Sequence, residues 1–220
     1  VMEGAGNGTA SALSFGTGGE SGTYYAFGGV LASFVSGKSD CKVTALTSGG
    51  SQANVEDLTN GNVQLAFVQS DVMNYAYNGQ RLFDSPVTGF SVVAQLYQEQ
   101  VQIVTTNPDI KTVAALAGKK VSIGAAGSGV YFNAIDVLSA YDLKESDISA
   151  VYQSFGDSAE SLKDGKIDAA FIVAGAPTTA ITDLATAGSV YLVSLDDSHV
   201  QSLLSASPYY TAATIKAGTY

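Results

Sequence analysis

Short apolar runs alternate with longer stretches in which apolar residues recur every three or four positions. The runs at 13–15, 43–46, 63–68, 92–96, 101–105, 121–123, 148–152, 167–173 and 190–195 read as strands. Amphipathic stretches fit between them. Over 23–36, Tyr24, Phe27, Leu31 and Phe34 share one helical face; over 129–141, Tyr131, Ile135 and Leu138 do. Short strands alternating with helices predict an α/β protein with mainly parallel sheets flanked by helices.

A weak internal repeat sharpens that picture. GTYYAFGGVLASF (22–34) aligns with GVYFNAIDVLSAY (129–141), and LTNGNVQLAFV (58–68) aligns with LKDGKIDAAFI (162–172). Two matches in the same order predict two similar lobes, centred on about 11–95 and 105–190. LYQEQVQIVTTNP (96–108) lies between them and has no Gly, and no Pro before Pro108, so it reads as a structured hinge. The full division is a flexible tail at 1–12, a first lobe of 13–98 and 197–220, and a second lobe of 99–196. Hinge segments fall near 96–106 and 194–200.

Composition then removes function classes. The 220 residues carry 20 acids against 10 bases, a net charge of −10, and Arg81 is the only arginine. Nucleic acid needs a basic face, and nothing here supplies one. Cys41 and His199 are each alone, so there is no internal disulfide and no cluster with metal-ligand spacing; the expectation is no metal and no cofactor. Apolar residues make up 46% of the chain, yet no run approaches a membrane span. The first residues lack the pattern of a signal peptide, which fits either a cytosolic protein or a leader already removed.

The chemistry that remains is in the glycine loops. Gly16-Thr-Gly18 is followed by Ser21 where a dinucleotide fingerprint needs its third glycine, and no acid stands about 20 residues on to hold a ribose. A phosphate loop needs Gly-Lys-Ser/Thr, and in the opening loop Gly22 is followed directly by Thr23. A strand ending in a Gly/Ser/Thr turn that opens a helix does present free N–H groups and the positive end of the helix dipole. GESGT (19–23), SGGSQ (48–52) and GAAGSG (124–129) each do so. The hydroxyls of Ser21, Thr23, Ser51 and Ser128 either cap those helices or reach a ligand. Asp71 is a candidate partner for an ammonium group or a first-turn acid favoured by the dipole. Arg81 reads as exposed, Asp196-Asp197 as a solvated helix start, and Asp157-x-x-Glu160 as a capping box. No nucleophile–base pair is visible.

In order along the chain, GTGGESGTYYAFGGVLA, SGGSQANVEDLTNGNVQLAFVQSD, LYQEQVQIV, LAGKKVSIGAAGSGV, LKDGKIDAAFIVAGAP and PYYTAATIKAGTY resemble the TAXI-type solute receptors of TRAP transporters, over residues 13–220. The resemblance implies a two-lobed periplasmic binding protein fold of the hinge-bending kind (type II). It implies an extracytoplasmic, monomeric receptor, made with a signal peptide or lipoprotein anchor, that delivers a small carboxylate to a sodium-coupled membrane permease. Glutamate, glutamine or a keto acid of that size is the implied ligand. Carried over residue by residue, the site is Gly18, Gly19, Thr23 and Tyr24; Ser51 and Asn54; Gln69 and Ser70; Ser128, Gly129 and Val130; and Ala174, Gly175 and Pro177. Family members continue past the position of Tyr220 with a segment that completes the first lobe, so the resemblance also implies a shortened chain. A ligand-sensing domain and an enzyme on the same fold are the alternatives.

Overall fold

A computed structural model describes residues 11–220; residues 1–10, most of the expected tail, lie outside the described residues. The first sheet has strands β1 (Ala12–Gly16), β2 (Lys42–Leu46) and β3 (Leu65–Ala66), in the order β2-β1-β3 and all parallel. Helices α1 (Thr23–Lys38), α2 (Ser51–Thr59) and α3 (Ser70–Asn78) connect and follow them. The second sheet contains β4 (Gln100–Thr105), β5 (Lys120–Ser122), β6 (Ser149–Val151), β7 (Ala169–Ala174) and β8 (Tyr191–Leu192), in the order β6-β5-β7-β4-β8. Its helices are α4 (Val130–Ala140), α5 (Phe155–Lys163), α6 (Thr179–Ala187) and α7 (Asp197–Ala206).

The internal repeat is visible in this topology. β2-β1-β3 and β6-β5-β7 are the same arrangement built twice, and the aligned helices α1 and α4 each follow the middle strand. The aligned turns match in conformation too. Gly61 and Gly165 both sit in the left-handed region, at φ 75° and 66°, and both donate their N–H three residues back, to Leu58 and Leu162. Only glycine takes that conformation without cost, which is why the turn repeats with its glycine.

The two sheets are not equally covered. Every residue of β7 is buried. Phe171 and Val173 point into a cluster with Ile103, Val121, Val130 and Leu138, while Ala170, Ile172 and Ala174 point into another with Leu162, Ile181 and Leu184. Period-two alternation therefore feeds apolar surface to helices on both faces, as a central strand requires. The first sheet packs α1 through a smaller cluster of Phe15, Ala32, Val43 and Phe67.

Several expectations are corrected. β4 pairs antiparallel with both β7 and β8, because the crossing segment enters the second sheet from the side opposite to its neighbours. The run 92–96 forms no strand; Val92 and Val93 are 63% and 87% exposed, with no neighbouring strand to bond. On α1 the buried positions are the small Gly28 and Ala32, with Leu31 and Val35 beside them, and Phe34 faces out. On α4, Phe132 and Val137 are buried and Tyr131 only partly so. The sequence reading groups 197–220 with the first lobe, whereas their contacts run to the second: Leu203 of α7 packs in its core, Tyr210 bonds Asn133 and Asp136 of α4, and Tyr220 bonds Gln102 and Thr178. Residue 12 belongs to β1 and not to the tail.

One apolar cluster joins the lobes. Phe132 of α4 is fully buried among Val55 of α2, Val72 and Ala76 of α3, and Phe83. The second lobe thus places a large aromatic side chain in the first lobe's core.

Candidate interlobe binding cleft

The glycine loops first hold one another. Ala53 at the start of α2 donates its N–H to Gly127 in the loop before α4, at 2.9 Å. A Cβ on Gly49 would stand 2.6 Å from the carbonyl oxygen of Ala126, so this approach of backbone to backbone requires glycine. On the other side, the Gly175 N–H donates to Thr23 Oγ1 at 3.1 Å. The lobes are therefore in contact at two loop pairs, with space left between them.

That space is a cavity of about 70 Å3 lined from both lobes by Gly18, Gly19, Thr23, Tyr24, Ser51 and Gln69 on one side and Ser128, Gly129, Val130 and Ala174 on the other. It is several times the roughly 10–15 Å3 that one buried water needs. The N-cap residues of α1, α2, α3 and α4, Gly22, Gly50, Gln69 and Gly129, all line it, and none of these four helices has a side-chain cap. Of the other helices, α5 and α7 are capped by side chains, Ser154 accepting from Asp157 N and Asp196 from His199 N, while α6 is not. The expected capping box at Asp157 and Glu160 does not form; the cap is Ser154, one turn earlier, whose Oγ accepts the Asp157 N–H and donates to the Asp157 carboxylate. Helix N-termini and their dipole ends that converge on one space form a site for an anion.

The hydroxyls divide. Thr23 is occupied by Gly175, and Ser51 Oγ accepts the Gln69 N–H at 3.0 Å. Ser128 Oγ is buried, in a residue 4% exposed, and has no partner. Since buried hydroxyls are nearly always bonded, an unpaired one on a cavity wall marks a place for a ligand atom.

Of the fourteen carried-over residues, the ten named above line the cavity and four do not. Asn54 is fully buried behind it, where its Nδ2 donates to the carbonyls of Thr17 and Phe67 and ties β1 to β3. Ser70 and Pro177 are exposed, and Gly175 stands beside the cavity as the donor to Thr23. Asp71 is a buried first-turn acid of α3; its carboxylate accepts from Val72 N and from Asn133 Nδ2, and burial raises its pKa. It does not line the cavity, so the candidate role as an ammonium partner is not supported there. Arg81 pairs with Asp136 at 2.9 Å over the rings of Tyr75 and Phe132, away from the cleft. His199 stacks on Tyr141, bonds Asp196 and has the Ser198 hydroxyl at 3.5 Å, an exposed group at the start of α7 that does not line the cavity.

Sequence reading missed Glu99 and Phe155. Glu99 lines the cavity from the crossing segment and receives the Tyr24 hydroxyl at 3.2 Å. Burial, with Asp71 adding to it, pushes its carboxyl up to about 8. Burial and the Glu99 charge raise the Tyr24 phenol as well. The available signal was a lone acid inside the apolar alternation of 96–105. A broader hollow of about 490 Å3 runs along the outside of α5, but Asp157, Glu160 and Asp164 line it against Lys166 alone, which suits an anion poorly. Among the described residues no group of acids, histidines or cysteines could hold a metal ion, and no helix is long and apolar enough to cross a membrane.

Two α/β lobes built on one repeated topology, with loops converging on a cleft at their carboxyl ends, define the fold of the two-lobed periplasmic binding proteins. The NMT1-like family profile matches residues 15–220, and the chain belongs to that family. Solved structures agree on the fold. The alkanesulfonate-binding protein SsuA from Xanthomonas axonopodis pv. citri, bound to MOPS, is 20% identical with a TM-score of 0.55, covering 85% of this chain and 61% of that one. An ABC uptake transporter substrate binding protein from Streptococcus pneumoniae with bound histidine is 18% identical with a TM-score of 0.58, covering 84% and 76%. The amino acid ABC transporter substrate-binding protein AbpA from Streptococcus pneumoniae, bound to L-arginine, is 15% identical with a TM-score of 0.56, covering 83% and 75%. This chain spans about three-fifths of the alkanesulfonate-binding protein's length.

Proposed function

We propose that this protein is an extracytoplasmic solute-binding receptor that closes its lobes on one small carboxylate and delivers it to a membrane permease. The observation that carries the reading is the set of four helix N-termini without side-chain caps around one interlobe cavity, beside the unpartnered hydroxyl of Ser128. With no Lys, Arg or His on the wall, backbone N–H groups and hydroxyls do the binding, which suits a single carboxylate better than a dicarboxylate clamped by guanidinium. The fold's two lobes joined at 96–106 supply the hinge on which ligand binding selects the closed form. The motif string shared with TAXI-type receptors favours a TRAP permease as the partner, and an amino acid of glutamate's size or its keto acid as the cargo.

Binding without turnover fits the same geometry. Glu99 and Tyr24 are the titratable groups on the wall; the Tyr24 hydroxyl lies between Glu99 Oε2 and Ser51 Oγ, and Ser51 Oγ already accepts the Gln69 N–H. Native mass spectrometry of purified protein, followed by a thermal-shift panel of amino acids, keto acids, sulfonates and sugars, tests the reading. Stabilisation by a small carboxylate supports it. Stabilisation by sugars alone, or a new product after incubation with the bound acid, refutes it.

A further inference from the structure

Anion binding leaves one wall residue unused. Glu99 puts a carboxyl group into a cavity whose helix termini attract negative charge, and the lining has no lysine, arginine or histidine to pair with it. The hydrogen bonds around it have one direction. The Gln69 N–H donates to Ser51 Oγ at 3.0 Å; the Ser51 hydroxyl is then free to donate to the Tyr24 oxygen at 3.4 Å; and the Tyr24 hydroxyl donates to Glu99 Oε2 at 3.2 Å. Each hydroxyl accepts one bond and donates one, so the chain ends on Glu99 as an acceptor. A buried carboxyl with a supporting donor and no cation lacks the partner that would let it ionise.

We infer that Glu99 is the specificity-determining residue for a ligand ammonium group, so that the cleft selects α-amino acids over the corresponding 2-oxo acids. The inference rests on the reading of the cleft as a small-carboxylate site. The ligand carboxylate takes the helix N-termini and Ser128, and the ammonium, one carbon away, takes Glu99 on the same small cavity. A 2-oxo acid offers Glu99 no cation: its carbonyl oxygen accepts a neutral hydrogen bond from the protonated carboxyl, and no ion pair forms. Specificity then comes from the charge-assisted contact that only the amino acid makes.

Ionisation accompanies binding. In the empty cleft burial holds the Glu99 proton up to about pH 8. The groups that face it are Tyr24 of α1, Asp71 of α3 and Tyr97 on its own segment, and the second lobe contributes no titratable group to the wall. An ammonium favours the ionised carboxylate, so an amino acid displaces about one proton per molecule bound at pH 7.

The test is calorimetry of the full chain against the twenty L-amino acids and their 2-oxo counterparts, with each binder repeated in buffers of different ionisation enthalpy. An amino acid binding about a hundredfold tighter than its 2-oxo acid, with release of close to one proton, is the expected result. Glu99→Gln weakens that amino acid about thirtyfold and leaves the 2-oxo acid within about threefold. Proton release by the unmodified protein is measured independently, should the variant fail to fold. Equal or tighter binding of 2-oxo acids, or amino-acid binding without proton release, overturns the role of Glu99 and leaves the carboxylate site standing. Silence from both panels overturns the carboxylate reading and this inference with it.

Discussion

Gly129→Ala is the most direct perturbation of the cleft. Gly129 is the N-cap of α4 at φ −71° and ψ −24°, an ordinary helical conformation, so the backbone accepts alanine without strain. The added Cβ would stand 1.7 Å from Gln69 Oε1, 2.5 Å from its Cδ and 3.1 Å from Ser51 Oγ. The Gln69 side chain must turn away, and with it goes the bond from Gln69 Nε2 to Asn133 Oδ1, 2.7 Å long, which joins the lobes. Asn133 is 2% exposed, so its oxygen is left unpaired in a dry site. A lost hydrogen bond with an unsatisfied buried acceptor costs about 2 kcal/mol, charged against the closed form alone. Since ligand binds the closed form, affinity falls by about thirtyfold. The methyl group also stands on the anion's path to the free N–H groups of α4. Calorimetry with the tightest binder, beside far-ultraviolet circular dichroism of the free protein, reads both sides. An unchanged spectrum with an affinity within about twofold of the parent would refute both the site and the interlobe role of Gln69.

Other variants test separate links. Ser128→Ala removes a buried hydroxyl that lacks a partner, so the free protein gains about 1 kcal/mol in chemical denaturation while ligand affinity drops; a loss in both sinks the assignment of Ser128 to the ligand. Phe132→Ala empties the cluster joining α4 to α2 and α3 and costs about 3–5 kcal/mol, with a larger radius of gyration in X-ray scattering if the lobes part; a loss below about 1 kcal/mol would mean that the lobes do not depend on it. Burial raises the Glu99 carboxyl from 4.5 to about 8, so the folded state holds that proton more firmly than the unfolded chain does. Its contribution to stability is complete below about pH 4.5 and is lost as the pH rises through 8. The melting temperature of the free parent protein should therefore fall relative to Glu99→Gln between pH 5 and 8.5, and parallel profiles would show that the acid is not desolvated. Asp71, raised in the same direction, is common to both proteins and cancels in the comparison.

The sequence by itself determined the elements and their repetition. Period-two and period-3.6 patterns are local, so β1, β2, β5 and β7 and the helices α1 and α4 fall close to where the apolar positions put them. The aligned segments imply a repeated topology because the same turn chemistry, down to the glycines at 61 and 165, recurs in both lobes. The glycine loops were legible as helix N-termini for the same reason. Tertiary structure decided what those loops face. Gly49 serves the backbone of Ala126, Asn54 serves β1 and β3, and Thr23 serves Gly175; nothing near each residue in the chain distinguishes these duties from contact with a ligand. The antiparallel entry of β4, the unpaired run 92–96 and the outward turn of Phe34 follow from which surfaces the other elements leave free. Glu99 shows the limit most sharply. Its neighbours in the chain are glutamines, and its perturbed carboxyl comes from α1, α3 and the second lobe closing around it, because desolvation depends on the density of atoms in space and not on their order along the chain.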